Sequence, residues 1–129
     1  MPGSDGPGLR RNPAAPGPLV QRLTANGFSV DGATYRAALL TPQQAIAWDP
    51  PPLAELAAVD LEPLLALDPA PEFLILGTGA RMAFAPRRLA QALEARGIGL
   101  ESMDTRAAAR TWGLLRGEGR WIAAALMAL

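Results

Sequence analysis

The stretch EFLILGTG, residues 72–79, decides the fold of this 129-residue chain. Its apolar run follows Pro71, ends in a Gly-Thr-Gly segment and lacks the polar–apolar alternation of a strand with one solvated face. A short, wholly apolar run is expected of a strand buried on both faces, as in parallel sheets that are covered by helices. The stretch therefore predicts an α/β domain with helices on both faces of a sheet.

Downstream of this strand the sequence alternates between helical and extended patterns. Pro86 suits the first position of a helix, and Gly97 supplies its C-terminal stop. Either Asp104 or Thr105 is expected to cap the next helix, which a Gly117–Gly119 turn follows. The predicted elements are a helix over 86–96, a strand over 98–103, a helix to about Arg116 and a closing strand over 120–127.

Upstream of the same strand, Asp31-Gly32 marks a β-hairpin between Gly27–Val30 and Ala33–Leu40, since Asp-Gly tolerates the positive φ angles of a tight turn. A third short strand is predicted over 44–48, and one or two short helices over 53–67. The predicted fold class is α/β: a three-layer single domain with a central mixed β-sheet, helices on its faces and an N-terminal β-hairpin region.

The first 18 residues differ in composition, because nine of them are glycine or proline. Such a segment buries too little apolar area to offset the entropy lost on ordering. We expect residues 1–18 to form a disordered arm and residues 19–129 to form the single α/β domain.

The composition excludes several kinds of enzyme site. The chain has no cysteine, no histidine and no lysine, so all 12 basic residues are arginines. It cannot by itself supply a Ser-His-Asp triad, a cysteine nucleophile, a lysine Schiff base or the usual zinc ligands. We therefore expect no catalytic residues, no metal site and no cofactor.

Cysteine content, hydropathy and net charge indicate where the protein is located and which classes of partner it lacks. The absence of cysteine fits a reducing cytoplasm, and no apolar run reaches the roughly 18 residues of a membrane span. The net charge of zero offers no broad basic footprint for nucleic acid. The sequence predicts a cytoplasmic protein that does not span the membrane or bind nucleic acid.

The candidate ligand site is the Gly77-Thr78-Gly79 loop with the arginines that follow it. Glycines after a buried strand allow backbone N–H groups to curl around an anion. Arg81 lies in the loop, whereas Arg87 and Arg88 lie in the first helical turn, where positive charge opposes the helix dipole. The alternatives are a small anion site and a plain turn with solvated arginines. A dinucleotide site is disfavoured, because Met82 stands where the third glycine would fall.

The second half of the chain resembles a known family through an ordered set of short motifs. They are Gly77-Thr78-Gly79, Phe84, Gly97-Ile98-Gly99, Glu101, Met103-Asp104-Thr105, Ala107-Ala108, Arg110-Thr111, Glu118-Gly119-Arg120 and Ala123–Leu126. The upstream Trp48-Asp49 pair also fits. The family is the domain of unknown function whose eukaryotic member is the mitochondrial NADH dehydrogenase (complex I) assembly factor 3. The resemblance implies a three-layer α/β domain that acts through an unidentified protein partner.

The sequence departs from the family's bacterial pattern at three positions of one predicted helix. Ala109 stands where cysteine is usual, Trp112 where tyrosine is usual and Gly113 where asparagine is usual. Glycine costs about 1 kcal/mol relative to alanine within a helix, so we expect a bend or an end at Gly113.

Three residues are candidate partner contacts: Trp112, Glu118 and Arg120. Tryptophan and arginine are enriched at interface hot spots. The simpler interpretation of Glu118-Gly119-Arg120 is a tight turn that carries a surface ion pair. Two hypotheses for function remain. The first is a non-catalytic binding or assembly module, for which the resemblance implies a relation to complex I assembly. The second is an anionic-ligand-binding domain or enzyme that uses the glycine loop and its arginines.

Overall fold

The computed structural model describes residues 17–129, so all but the last two residues of the predicted arm lie outside the described residues. Two sheets organise the described chain. The first contains β1 (Val20–Thr24), β2 (Gly27–Val30) and β3 (Ala33–Tyr35). The second contains β4 (Ala38–Leu40), β5 (Ala45–Ala47), β6 (Phe73–Gly77), β7 (Gly99–Met103) and β8 (Ala123–Leu126), in the order β5-β4-β8-β6-β7.

The helices lie between these strands in the chain. Two 3-10 turns, Leu53–Glu55 and Ala58–Leu61, lead into the short α1 (Glu62–Leu65), while α2 (Arg87–Glu94) connects β6 to β7 and α3 (Thr105–Gly117) connects β7 to β8. Strand β6 is parallel to both β7 and β8, whereas β4 is antiparallel to β8 and β5. The predicted mixed central sheet is therefore confirmed.

The residues of β6 alternate between two buried clusters, which makes the domain three layers thick. Leu74 and Leu76 pack on the side of α1 and α2. Ile75 packs on the opposite side, with Trp112 of α3 and Phe28 of the three-stranded sheet. Because the strand Phe73–Gly77 is covered on both faces, it needs no polar alternation, and the predicted doubly buried strand is confirmed.

The upstream region differs from the prediction in two ways. Strand β1 was missed, since Val20–Thr24 carries only weak alternation and is largely exposed. The predicted single strand Ala33–Leu40 is two strands in different sheets, because the chain leaves β3 at exposed Arg36 and enters β4 among buried residues. The Asp-Gly turn is as predicted, with φ of 51° at Asp31 and 85° at Gly32.

Two further predictions concern single residues. Asp104 caps α3 by accepting a hydrogen bond from the Ala107 N–H at 2.9 Å, as expected of an N-cap carboxylate. The helix predicted to about Arg116 continues to Gly117, so of the bend or end expected at Gly113 the end is wrong. Packing of the inner face of α3 against the sheet outweighs the small propensity cost of one glycine.

Gly17 and Pro18, the last residues of the predicted arm, contact the domain. The Pro18 carbonyl accepts a hydrogen bond from the Trp112 indole at 2.8 Å. A Cβ atom on Gly17 would lie 2.1 Å from the Pro42 carbonyl oxygen, so its backbone is closely packed. The packed chain therefore begins before residue 19.

Candidate functional site

The glycine loop begins where β6 meets the start of α3. A Cβ atom on Gly77 would lie 2.9 Å from Thr105 Oγ1 and 3.0 Å from Thr105 Cα. Contacts that short are not tolerated by real side chains. Glycine at this position therefore allows the strand and the helix to approach closely, which is a packing role.

Hydrogen bonds inside the protein use the loop amides that were expected to hold an anion. The Thr78 N–H donates to the Met103 carbonyl at 2.8 Å, and the Gly79 N–H donates to Thr105 Oγ1 at 2.9 Å. The Thr105 hydroxyl in turn donates to the Met127 carbonyl at 2.8 Å. The predicted anion cradle is therefore wrong for these two amides, because their hydrogens are already bonded within the fold.

The side chain of Thr78 shapes the loop that follows. Its hydroxyl donates to the Arg81 carbonyl at 2.6 Å and accepts a hydrogen bond from the Ala83 N–H at 3.1 Å. These bonds close a compact loop before α2. They also fix the path of the backbone that carries the exposed side chains of Arg81, Met82 and Phe84.

The side chains of this loop and of the first turn of α2 face solvent. Phe84 is 83% exposed and Met82 is 47% exposed, which is unusual for large apolar side chains. The arginines Arg81, Arg87 and Arg88 are also exposed, and none forms an ion pair within residues 17–129. We call Arg81, Met82, Phe84, Arg87 and Arg88 the apolar-basic segment.

Trp112 does not serve as the predicted partner contact. Its side chain is 0% exposed and lies in the cluster between the two sheets, with its indole N–H bonded to Pro18. The prediction fails because this residue lies on the inner face of α3 rather than at the surface. The tryptophan anchors the N-terminal end of the described chain to the core.

Glu118 and Arg120 lie in the predicted turn, but the ion pair has a different partner. Arg120 binds Glu72 at 2.8 Å, across to the start of β6, and its guanidinium lies 5.7 Å from the centre of the Phe73 ring. The hydrogen bond from Arg120 lowers the pKa of Glu72 and raises that of Arg120. Both side chains are about half exposed, so this is a surface ion pair that links the start of β6 to the segment before β8.

A pocket that was not expected from the sequence borders the glycine loop, since Thr78 is one of its lining residues. It has a volume of about 390 Å³ and lies beside the C-terminal ends of β6 and β8. Its apolar wall includes Trp48, the prolines at 50–52 and Met127, whereas Arg36, Asp49 and Thr78 contribute polar groups. The Trp48-Asp49 pair before three prolines was the available signal. Within residues 17–129, no group of three histidine, cysteine or acidic side chains is placed to hold a metal ion.

The described helices show no candidate for crossing a bilayer, since none combines sufficient length with apolar character.

Comparison with known proteins identifies relatives along nearly the whole chain. A family model described as "Protein of unknown function (DUF498/DUF598)" matches residues 20–127. A Danio rerio protein named NADH dehydrogenase (ubiquinone) 1 alpha subcomplex assembly factor 3 is 29% identical over 120 residues, which cover 92% of this chain and 69% of the relative. An uncharacterised Rhodobacter capsulatus protein is 37% identical over 101 residues, covering 78% of this chain and 76% of the relative.

Solved structures share the same architecture. The crystal structure of a Bordetella parapertussis protein has a TM-score of 0.79 and 30% sequence identity to this chain. The match covers 88% of this chain and 97% of that protein. The similarity therefore extends over the domain rather than being confined to one motif.

Proposed function

The chain belongs to the DUF498/DUF598 family of unknown function, and on that premise we propose that it is a non-catalytic module that binds a protein partner through its apolar-basic segment. Family membership agrees with the resemblance seen in the sequence motifs. The family does not define a reaction, so the proposal depends on what the surface of this chain offers.

The exposure of Phe84 is the observation that carries the proposal. A phenylalanine that is 83% exposed gains free energy when a partner covers it, at roughly 25 cal/mol per Å² of apolar area. Aromatic side chains and arginines are enriched at the centres of protein interfaces, and both occur within residues 81–88. Met82 adds a flexible apolar side chain that can adapt to a partner.

The charges of the segment indicate the partner's chemistry. Arg81, Arg87 and Arg88 have no ion-pair partner among the described residues. Arg87 and Arg88 also begin α2, where positive charge is unfavourable because the helix dipole places partial positive charge there. An acidic surface with an apolar recess would cover Phe84 and neutralise these arginines together.

The relatives suggest a more specific process. Several carry the name of an assembly factor for NADH dehydrogenase, and the Danio rerio member matches 92% of this chain. We propose that this chain has an assembly role of the same kind where its host contains a respiratory NADH dehydrogenase. The cytoplasmic location stays a prediction of the sequence.

The proposal can be tested by capture of the full-length, affinity-tagged chain from its native host after cross-linking. The key variant is Phe84→Ser, and its matched control is Leu114→Ser, since Leu114 is also a large exposed side chain (66%) but lies on α3. We expect the wild type and Leu114→Ser to recover the same partner and Phe84→Ser to lose it.

Two outcomes would contradict the proposal in different ways. If the wild type recovered no partner above background, the proposed assembly function would be contradicted. If Phe84→Ser recovered the partner as well as the wild type does, the apolar-basic segment would not be the contact surface. For the more specific role, deletion of the gene should reduce the amount of assembled NADH dehydrogenase on native gels, and unchanged assembly would exclude it.

A small anion is a second candidate, supported only by Arg81, Arg87 and Arg88, which form no ion pair with the described part of the chain. Phosphate should then raise the melting temperature of the wild type, and Arg87→Ala/Arg88→Ala should abolish the shift. The control Arg96→Ala/Arg110→Ala changes two exposed arginines elsewhere. Absence of any shift across a panel of phosphate and carboxylate compounds would exclude this candidate.

A further inference from the structure

The outer strands of the two sheets are not equally protected against pairing with another chain. The edge strands β3 and β5 are only three residues long, and β1 has a register irregularity between Val20 and Arg22. Short length and bulges are common ways to block the addition of a further strand. Strand β7 has five residues, a regular register with β6 and no proline, so its outer edge lacks these protections.

The orientation of the β7 backbone follows from one hydrogen bond. The Thr78 N–H donates to the Met103 carbonyl, and Gly77 is the register partner of Met103. Alternate residues of a strand direct their N–H and C=O groups to opposite sides. Gly99, Glu101 and Met103 therefore face β6, whereas Leu100 and Ser102 direct their backbone groups outward. No residue within 17–129 bonds to these outward groups.

The two faces beside this edge have different surroundings. On the side of α2, Leu100 packs at the border of the core, next to an open hollow of about 430 Å³ lined by Ala90, Glu94, Gly97, Ile98, Gly99 and Leu100. On the side of α3, Glu101 is exposed and forms no ion pair within the described residues. The edge thus combines two free hydrogen-bonding residues, an apolar hollow and an unpaired carboxylate.

Charge disfavours a second copy of this chain as the occupant. Antiparallel self-pairing centred on the strand would place Glu101 directly opposite Glu101 of the second copy. That position is a non-hydrogen-bonded pair, in which side chains are closest, and like charges there are destabilising. A strand with a basic residue opposite Glu101 reverses the sign of this interaction.

We propose that the outer edge of β7 accepts an extended segment of another protein as a sixth strand, with an arginine or lysine opposite Glu101 and an apolar residue over the hollow beside Leu100. The segment's backbone bonds to Leu100 and Ser102, which is the β-augmentation mode of recognition. This site is separate from the apolar-basic segment and does not depend on the function proposed for it.

The test uses the full-length ¹⁵N-labelled chain and three synthetic peptides. The probe is acetyl-Thr-Val-Arg-Val-Thr-amide; one control replaces its arginine with glutamate, and the other carries N-methyl groups on both valines. The readout is amide hydrogen exchange at Leu100 and Ser102, with the already bonded Glu101 amide as an internal reference. At about 90% saturation, mass action slows exchange of the outward amides about tenfold.

The expected pattern is protection of Leu100 and Ser102 by the arginine peptide, and at least about fivefold weaker binding of the glutamate peptide, as expected of a coupling near 1 kcal/mol. The N-methylated peptide should not protect them. The variant Glu101→Arg, at an exposed position, should reverse the preference in favour of the glutamate peptide.

Three results would overturn the proposal. The first is no peptide binding at millimolar concentration, and the second is binding that leaves exchange at Leu100 and Ser102 unchanged. The third is protection of these amides in the free chain that increases with protein concentration, since this would assign the edge to self-pairing. None of these results bears on partner capture by Phe84, so the two proposals can fail separately.

Discussion

The inner face of α3 and the apolar-basic segment both adjoin the glycine loop, at Thr105 and at Arg81, but they have opposite environments. Thr105 and Trp112 on α3 are 0% exposed, and their side-chain polar groups bond to Gly79, Met127 and Pro18. Phe84 in the segment is 83% exposed, and the neighbouring arginines have no ion pair within residues 17–129.

This difference separates the residues that hold the fold together from those that are available for recognition. Side chains that are buried and bonded contribute to stability, and their removal is costly. Side chains that are exposed and unpaired contribute little to stability and remain available to a partner. Gly77 and Gly79 belong with the residues that stabilise the fold, although the Gly-Thr-Gly sequence had suggested a ligand site.

The largest effect is expected for Trp112→Ala. Loss of a fully buried indole leaves a cavity and releases the Pro18 carbonyl, so the free energy of unfolding should fall by about 3–5 kcal/mol. Urea unfolding followed by circular dichroism measures the change. Leu114→Ala, on the exposed face of the same helix, should stay within about 0.5 kcal/mol. A loss below about 1 kcal/mol in Trp112→Ala would contradict the assignment of the inner face.

An intermediate effect is expected for Thr105→Val. The substitution keeps the shape but removes the hydroxyl that bonds Gly79 and Met127, which leaves two buried backbone groups unsatisfied. Unfolding free energy should fall by about 1–3 kcal/mol. The matched variant Thr105→Ser retains the hydroxyl and should lose less. Equal stability of the valine and wild-type chains would show that these bonds do not hold the loop.

A smaller effect of opposite sign is expected for Arg87→Glu at the start of α2. Replacing positive with negative charge in the first helical turn should raise the unfolding free energy by about 0.3–1 kcal/mol at low salt. The control is Arg110→Glu, at an exposed position within α3, which should change stability less. A decrease in stability at low salt would mean that Arg87 has a structural role and would weaken its assignment to recognition.

The smallest effect concerns Arg120, an arginine that is exposed but paired. Because the hydrogen bond from Arg120 lowers the pKa of Glu72 below its ordinary value of 4.5, the pair stabilises the fold above that value. Its contribution is lost as the pH falls through the lowered pKa. In Arg120→Ala, NMR titration should find the pKa of Glu72 raised towards 4.5. An unchanged pKa would mean that the pair does not persist in solution.

Much of the fold could be predicted from local sequence patterns. The apolar run before Gly77, the Asp31-Gly32 turn and the cap at Asp104 each specify their conformation through residues close in sequence. The division of Ala33–Leu40 into two strands could not be predicted, because both halves favour extended structure. Which sheet each half joins depends on partners in β2 and β8, which are distant in the chain.

The candidate site was predicted only in part. The arginines were identified because their charge conflicts with the helix dipole, which is a local rule. The roles of Gly77, Thr78 and Gly79 were not, since a glycine that binds a phosphate and a glycine that permits close packing have the same sequence. The Thr78 and Gly79 amides are bonded to Met103 and Thr105, about 25 residues away.

By itself the sequence determined the fold class, the family resemblance and the lack of histidine, cysteine and lysine, since composition and short-range periodicity are properties of neighbouring residues. Only the tertiary structure decided that Trp112 is core, that Arg120 pairs with Glu72 and that residues 17–129 leave Phe84 and the edge of β7 uncovered. Burial and hydrogen-bond partners are set by residues far apart in the chain, so exposure cannot be obtained from local pattern alone.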